Sequence, residues 1–197
     1  MELGLTTAVQ NKIKDLHLEQ AENSDSRFWW EANLTKLGTR NALVIVHPSS
    51  RYCMIYSNLK PSVWKNLNEF VTEAISDAFL REGFSEEDAK QYLDMAGEVI
   101  FTKTHGRKAT GGLNRITSDL YYFNYDLDLD SMYQEQITYL LNDGPSTNAF
   151  HPEYTCIFPQ DYFVNEMKNL LHGTPMKLHC ATKKGGIIIR DGQVVER

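Results

Sequence analysis

The chain has 197 residues, a formal net charge of −6 at pH 7, 42% hydrophobic residues and 23% charged residues. These proportions are ordinary for a globular protein and exclude an extensively disordered chain. The acidic balance argues against general binding to nucleic acid or to an anionic membrane, because both need a basic surface. No apolar run approaches the ~20 residues that span a bilayer. The first ten residues lack the pattern of a secretory signal, so we expect a cytoplasmic protein.

The three cysteines support the same compartment. Cys53, Cys156 and Cys180 are odd in number, far apart and never in C-x-x-C spacing. A disulfide framework and a cysteine-rich zinc site both need paired or regularly spaced cysteines. We therefore expect free thiols in a reducing environment.

The first half of the chain predicts one helix, a strand meander and two more helices. Residues 5–16 show helical spacing of apolar residues, and three strand-like runs follow with short turns between them, which is typical of an antiparallel meander. A longer helix begins at Pro61 and ends at Gly83, and Ser85 with Asp88 forms a capping-box pattern for the next. The predicted strands are "RFWWEANL" (27–34), "NALVIVH" (41–47) and "RYCMIYS" (51–57).

The second half predicts a strand over 97–104, a helical stripe from Leu113 to Phe123, and a helix over 130–141. A short strand at 153–158 precedes a helix that begins at Pro159 and is closed by Gly173. The last residues carry β-branched runs on both sides of Asp191-Gly192, a dipeptide typical of a tight hairpin. Together these patterns predict an α+β fold, with a small antiparallel sheet covered by several helices and a C-terminal β-hairpin. We expect one domain over residues 1–173, with the tail 174–197 packed on it.

The segment "FTKTHGRKATGGLN" (101–114) stands out because it is basic and glycine-rich in an acidic chain. A strand, a Gly-containing basic loop and the start of a helix would place free backbone N–H groups beside cationic side chains, an arrangement that attracts anions. A solvated loop that balances the acidic residues after it is the alternative. The candidate ligand-binding residues are Lys103, Thr104, His105, Arg107, Lys108, Thr110, Gly111, Gly112, Asn114 and Arg115.

A nucleotide hydrolase of the P-loop type is excluded by the same segment. Gly106 and Gly111 have the P-loop spacing, but Gly112-Leu113 follow where a Lys and a Ser or Thr are required. Without these two residues nothing contacts the γ-phosphate or Mg²⁺.

Aromatic residues near the basic segment are candidates to cover a flat ligand. Trp29, Trp30, Tyr121 and Tyr122 could stack on a nucleobase or a similar ring, although core packing explains most aromatic side chains. We expect one or two of the four to be exposed.

The order of several blocks resembles an uncharacterised bacterial family known only as a domain of unknown function. The blocks are "FWWEANL", "RNALVIVHPSSRYCMIYS", "GEVIFTKTHGRKATGGLN" and "FHPEYTCIFPQDYF", and the resemblance covers about residues 3–171. Relatives often have Asn-Arg-Ser where this chain has Gly106-Arg107-Lys108. The resemblance implies one domain and brings no activity, catalytic residue or cofactor with it.

Three functional hypotheses remain open. The first is a non-catalytic binding protein for a small anionic, phosphorylated ligand held by residues 102–115, with a nucleotide as one candidate. The second is a protein–protein interaction module, an inhibitor or adaptor, that uses the acidic and aromatic segment 117–143. The third is an enzyme that uses His105, with Lys103 or Arg107, on a phosphoester or acyl substrate. We favour a protein that is not an enzyme, because no nucleophile, base and orienting group occur together. The histidine and cysteine spacings predict no metal site and no cofactor.

Overall fold

The computed structural model describes residues 1–123, 125–147, 150, 154–177, 180–182, 188–190 and 193–195. Within these ranges, nine strands form two sheets. The strands are β1 (Glu2–Leu5), β2 (Trp29–Leu37), β3 (Arg40–Val46), β4 (Cys53–Ser57), β5 (Ile100–Lys103), β6 (Tyr154–Ile157), β7 (Cys180–Thr182), β8 (Ile188–Arg190) and β9 (Gln193–Val195).

Seven α-helices accompany these strands in the described ranges. They are α1 (Thr7–Gln10), α2 (Pro61–Lys65), α3 (Leu67–Arg81), α4 (Glu86–Ala96), α5 (Arg107–Asp119), α6 (Glu135–Asp143) and α7 (Pro159–His172). Short 3-10 helices cover Ser26–Phe28 and Leu120–Phe123.

The α+β class is confirmed. The larger sheet has the order β4-β3-β2-β1-β5, and the smaller has the order β6-β7-β8-β9. The predicted meander is present as β2, β3 and β4, which pair antiparallel. The C-terminal hairpin is present as β8 and β9, while its predicted turn, Asp191-Gly192, lies outside the described residues. That residues 1–173 form one domain stays a prediction.

The prediction of a helix over residues 5–16 is wrong. The chain begins with β1, makes the single short helix α1, and then continues without further regular helix to Asp25. β1 lies between β2 and β5 and runs parallel to both, so the sheet is mixed and larger than we predicted. Its four residues, Glu-Leu-Gly-Leu, gave too short a pattern to outweigh the helical spacing after them.

The two faces of the larger sheet pack against different helices. On one face, the core contains large side chains of the sheet together with side chains of α3, α4 and α7, among them Leu3, Trp30, Ile45, Phe79, Tyr92 and Phe163. On the other face, side chains of β3 and β4 meet α5 and α6, among them Val44, Val46, Ile55, Leu113, Ile116 and Ile137.

The second face is apolar over β3 and β4 and polar over the other strands. Glu31, Gly4 and Thr102 are paired neighbours on β2, β1 and β5, so they lie in one row on this face. Glu2 lies two residues before Gly4 on β1, and Asn33 lies two residues after Glu31 on β2. Because successive side chains of a strand alternate between its two faces, both lie on this face as well. The polar side chains of Glu2, Glu31 and Thr102 are therefore buried under residues 104–106, which connect β5 to α5.

Candidate functional site

The basic segment is mostly helical. β5 ends at Lys103 and α5 begins at Arg107, not near Leu113 as the apolar stripe predicted. Gly106 precedes the helix with φ 85°, a backbone conformation that favours glycine. Arg, Lys and Ala at 107–109 are good helix formers, which explains the earlier start. The loop itself is only residues 104–106.

The cationic side chains of this segment do not converge. Lys103, Arg107, Lys108 and Arg115 are all exposed. Of the ten predicted ligand-binding residues, Arg115 alone lines the cleft described below. Thr110 uses its hydroxyl within the helix, donating to the Gly106 carbonyl at 3.1 Å. Asn114 is exposed and Thr104 is half-buried. Ligand binding by residues 102–115 stays a prediction.

His105 is held inside the protein by two carboxylates, and we call His105, Glu2 and Glu31 the His105 cluster. Its Nδ1 lies 2.7 Å from Glu31 Oε1 and its Nε2 lies 2.8 Å from Glu2 Oε2. Its backbone N–H also donates to Glu31 Oε1, at 2.8 Å. The imidazole is only 3% exposed. Since ionised carboxylates only accept hydrogen bonds, this geometry fits a ring that donates from both nitrogens, the imidazolium form.

The pKa values of the cluster agree with this assignment. Burial lowers the pKa of His105, but the hydrogen bonds to Glu31 and Glu2 outweigh it, so the pKa is raised above its usual value. Burial raises the pKa of Glu2, and hydrogen bonds from the Asn23 backbone and from His105 outweigh that effect and lower it. The cluster is therefore an internal ion group at neutral pH.

Two further contacts close the cluster. Trp29 stacks on the His105 ring at a centroid distance of 4.4 Å. Gly4 leaves room for Glu31, because a Cβ at that position would lie 2.6 Å from Glu31 Oε2. Within the described ranges, Glu31 Oε2 and Thr102 Oγ1 are buried without a hydrogen-bond partner. His105 is thus bonded and shielded on every side, and we do not retain the hypothesis of an enzyme that uses it.

Arg51 is a second buried cation, and sequence analysis did not single it out. It follows β3 in the turn 47–52, where its N–H donates to the His47 carbonyl and its backbone has φ 66°. The residue is 3% exposed. Nη1 donates to the Ala109 carbonyl at 3.3 Å and Nη2 to the Lys108 carbonyl at 3.2 Å. Nε has no partner in the part of the chain that the structure describes.

Gly112 of the basic segment makes room for this arginine. A Cβ at Gly112 would lie 2.3 Å from Arg51 Nη1, whereas a Cβ at Gly111 would lie 3.5 Å from Nη2. Gly112 is therefore required for α5 to approach the guanidinium. The glycine pair was predicted to let a ligand approach the backbone, and in the structure it admits a side chain of the same protein.

Arg51 opens onto a cleft between α5, α6 and the start of α7, which we call the Arg51 cleft. Its volume is about 340 Å³, and Arg51, Arg115, Asp119, Tyr122, Ser146 and Pro159 are among its lining residues. The Arg115 side chain already has two partners within the protein. Its Nη2 donates to the Pro145 carbonyl at 3.1 Å, and its Nε lies 3.5 Å from Asp119 Oδ2. Among the described residues no carboxylate lies within 4.0 Å of the Arg51 guanidinium. Burial, and secondarily the charge of Arg115, lowers the pKa of Arg51 to about 10.

The four predicted aromatic residues separate into two pairs. Trp30 is fully buried in the core, and Trp29 covers His105. Tyr121 and Tyr122 are 73% and 77% exposed, as expected for one or two of the four. Of these two, Tyr122 lines the Arg51 cleft.

The turn that carries Arg51 is fixed by a buried polar network that the sequence did not reveal. Ser50 Oγ lies 2.8 Å from His47 Nδ1, and His47 Nε2 lies 3.1 Å from the Arg27 carbonyl, so Nε2 carries the proton. Ser49 donates to Glu166 Oε1 of α7 at 2.5 Å. Burial lowers the pKa of His47 to about 4 and raises the pKa of Glu166 to about 7. The signal that could have revealed this turn was the polar "HPSSR" between two apolar strands.

The comparisons with known proteins identify the family. The sequence profile of the domain of unknown function DUF6933 matches residues 2–155, which is most of the chain. The chain belongs to this family, and the resemblance seen in the sequence is confirmed. No curated protein and no solved structure matches the chain significantly.

Two general findings complete the description of the site. Within the described ranges, no group of three or more His, Cys, Asp or Glu side chains is placed to hold a metal ion. In the same ranges, every helix is too short or too polar to cross a membrane.

Proposed function

We propose that this protein binds a small anionic ligand in the Arg51 cleft. The observation that carries the proposal is Arg51 itself, a guanidinium that is 3% exposed, has an unpartnered Nε and faces no carboxylate among the described residues. Burying a charge without a counter-ion lowers the stability of a protein by roughly several kcal/mol. An anion that pairs with the charge recovers part of this loss. Arginine also suits phosphate and carboxylate groups because its N–H groups form a planar fork.

The remaining lining residues indicate the kind of anion. Arg115 adds a second guanidinium, while Asp119 offsets part of its charge, which favours a ligand with one anionic group over a triphosphate. Tyr122 and Phe123 present ring surface at the same cleft. A volume of about 340 Å³ lies at the lower end of the range for small-molecule sites. A phosphorylated metabolite with one flat apolar part, such as a nucleoside monophosphate, fits these features.

This proposal changes the location of the ligand that the sequence predicted. Arg115 and Tyr122 are common to both sites, whereas Lys103, Arg107 and Lys108 are exposed away from the lining of the cleft. The two locations therefore make different predictions for the same pair of variants.

Thermal unfolding in the presence of sulfate, phosphate or a nucleoside monophosphate tests the proposal. A ligand at a hundredfold excess over its Kd stabilises a protein by about 2.7 kcal/mol, which corresponds to about 5–10 °C in Tm at this size. We expect this rise in the wild type and in Arg107→Ala/Lys108→Ala. We expect most of it to be lost in Arg115→Ala, an exposed position, and in Arg51→Met if that variant folds.

The outcomes separate the two locations. A rise that survives Arg115→Ala but is lost in Arg107→Ala/Lys108→Ala would place the anion at the basic segment. No rise with any of the anions in the wild type would refute the proposed function. Tyr122→Ala should lower the rise caused by the nucleotide and leave that caused by phosphate unchanged, because phosphate has no ring to stack.

The cytoplasm remains the compartment that we propose for this function. Cys53 and Cys156 are free thiols. Burial raises the pKa of Cys53 far above its usual range, so this thiol is unreactive. Phosphorylated metabolites are abundant in the same compartment.

A further inference from the structure

Exposed apolar side chains are concentrated in one segment of the protein. Among the described residues, ten large hydrophobic side chains are exposed, and seven of them lie between residues 121 and 140. They are Tyr121, Tyr122, Tyr125, Leu129, Met132, Tyr139 and Leu140. Single exposed apolar residues are normal on a protein surface, but such a concentration is typical of a surface that binds another molecule.

The same segment is acidic. No Lys or Arg occurs between Arg115 and Lys168, while Asp126, Asp128, Asp130 and Glu135 fall within ten residues of one another. A groove of about 320 Å³ brings some of these residues together, and we call it the acidic groove. It is lined by Asp126, Asp128, Gln134, Glu135, Gln136 and Tyr139.

The loop that forms the acidic groove is held in place by buried hydrogen bonds. The Gln134 side chain is buried. Its Nε2, which has two N–H donors, lies within hydrogen-bond distance of three acceptors: Ser57 Oγ of β4 at 2.8 Å and the carbonyls of Asp128 and Ser131 at 3.0 and 2.9 Å. Its Oε1 accepts from the Asp128 N–H at 2.9 Å. The exposed residues therefore project from a fixed backbone, and binding there needs little ordering of the loop.

The charges around the acidic groove indicate what kind of partner can bind there. Asp126 and Glu135 make no ion pair within the described part of the chain. Arg81 lies over the Tyr133 ring at 3.8 Å and pairs with Asp77 at 3.6 Å, and it makes no ion pair with Asp126 or Glu135 in the described ranges. An anionic membrane or nucleic acid would be repelled by this surface, whereas a cationic side chain would be attracted.

We infer that the acidic groove, with the exposed aromatic and aliphatic side chains around it, binds a basic, amphipathic segment of a partner protein. An Arg or Lys of the partner enters between Asp126, Asp128 and Glu135, against the Tyr139 ring, where cation–π contact adds to the charge attraction. Apolar residues of the partner cover Tyr125 and Leu129. This inference does not rest on the Arg51 cleft. The acidic groove and the cleft have no lining residue in common, although Tyr122 and Leu140 of the exposed apolar set line the cleft.

Three synthetic peptides of equal length test the inference by fluorescence anisotropy at physiological salt. One peptide combines Arg with Leu, one combines Arg with Ser, and one combines Gln with Leu in the same pattern. We expect the Arg/Leu peptide to bind most tightly, because it alone satisfies both the charge and the apolar surface. Asp126→Asn/Glu135→Gln should weaken its binding about threefold to tenfold, and Tyr139→Ser should weaken it further.

A matched control removes the same charge elsewhere. Glu69→Gln/Glu73→Gln on the exposed side of α3 should leave the affinity within about twofold of the wild type. Equal losses in both double variants, or equal binding of the Arg/Leu and Arg/Ser peptides, would reduce the effect to net charge and overturn the inference. Light scattering that shows self-association abolished by Asp126→Asn/Glu135→Gln would also overturn it, since the occupant would then be a second copy of this chain.

Discussion

Two buried cations lie along the segment 105–115, His105 at its start and Arg51 against residues 108–112, and their surroundings differ. His105 is enclosed by Glu2 and Glu31, and both of its ring nitrogens are bonded to carboxylates. Arg51 contacts only backbone carbonyls of α5 with two of its three nitrogens. The first cation stabilises the fold by closing an ion group, and it leaves no free donor for a ligand. The second retains an unpaired charge at the wall of a cleft.

Glu166 shows the other way in which this protein accommodates a buried charge. Among the described residues, its carboxyl group has no Lys or Arg within 4.0 Å, and His47, at 3.7 Å, is neutral. Burial raises the pKa of Glu166 to about 7, so a large fraction of it is neutral at physiological pH. Arg51 cannot use this route, because a pKa of about 10 still leaves the guanidinium charged. Of these three buried groups, Arg51 alone has neither a counter-charge nor neutralisation. This difference is the physical reason for assigning the anion to its cleft.

Of the changes considered, removal of His105 has the largest expected effect on stability. His105→Gln leaves two buried carboxylates without their cation, and we expect a loss of about 3–5 kcal/mol in the free energy of unfolding at pH 7. The loss should be largest below pH 6.5 and should shrink at alkaline pH, as the pH rises through the raised pKa of His105 and the folded ring loses its charge. Urea denaturation measures both values. His17→Gln, at an exposed histidine, should change stability by less than about 0.5 kcal/mol, and an equally small loss for His105→Gln would contradict the ion group.

The pH dependence of Glu166 gives the next largest effect. Its folded-state pKa of about 7 lies above the unfolded value of 4.5, so its favourable contribution is present below pH 4.5 and is lost as the pH rises through 7. Relative to Glu166→Gln, the wild type should lose about 2–3 kcal/mol between pH 4.5 and 8. His47, whose lowered pKa acts in the opposite direction, is present in both proteins and cancels in this difference.

Denaturation curves of the two proteins at a series of pH values measure this difference directly. A constant gap between them over the whole range would show that Glu166 titrates normally. It would also remove the contrast between a carboxyl group that is neutralised and an arginine that is not.

The glycine pair provides the smallest and most closely matched test. Gly112→Ala places a methyl group against Arg51 Nη1 and should cost about 1–3 kcal/mol. Gly111→Ala has ordinary contact distances in the same helix and should stabilise by up to about 1 kcal/mol, because alanine is the better helix former. Chemical denaturation of the two variants should therefore give changes of opposite sign. Equal changes would mean that Arg51 does not occupy the space beside α5.

The elements with strong local signals were predicted from the sequence. The meander β2–β4 followed from apolar runs separated by short turns, and α4 begins at the predicted capping box of Ser85 and Asp88. α7 ends at Gly173 in the left-handed conformation, as its position after the last apolar residue indicated. In each case the residues that determine the element lie within it.

The features that sequence analysis missed depend on contacts between distant residues. β1 is a strand because β2 and β5 pair with it, and nothing within its own four residues requires that. Gly112 looked like part of a ligand loop because its partner, Arg51, is far away in the sequence. The sequence shows that the segment 101–114 is basic. It does not show that Glu2 and Glu31 neutralise His105, because these residues meet only in the folded chain.

The central position of β1 has a consequence for how the protein is made. Residues 2–5 are translated before both of their partners in the sheet, which are residues 29–32 and 100–103. The meander can form as soon as it is synthesised, because its contacts are local, whereas β5 joins the sheet only through β1. β1 must therefore keep one edge open until residues 100–103 have been translated, and chaperones that shield such edges would act in that interval.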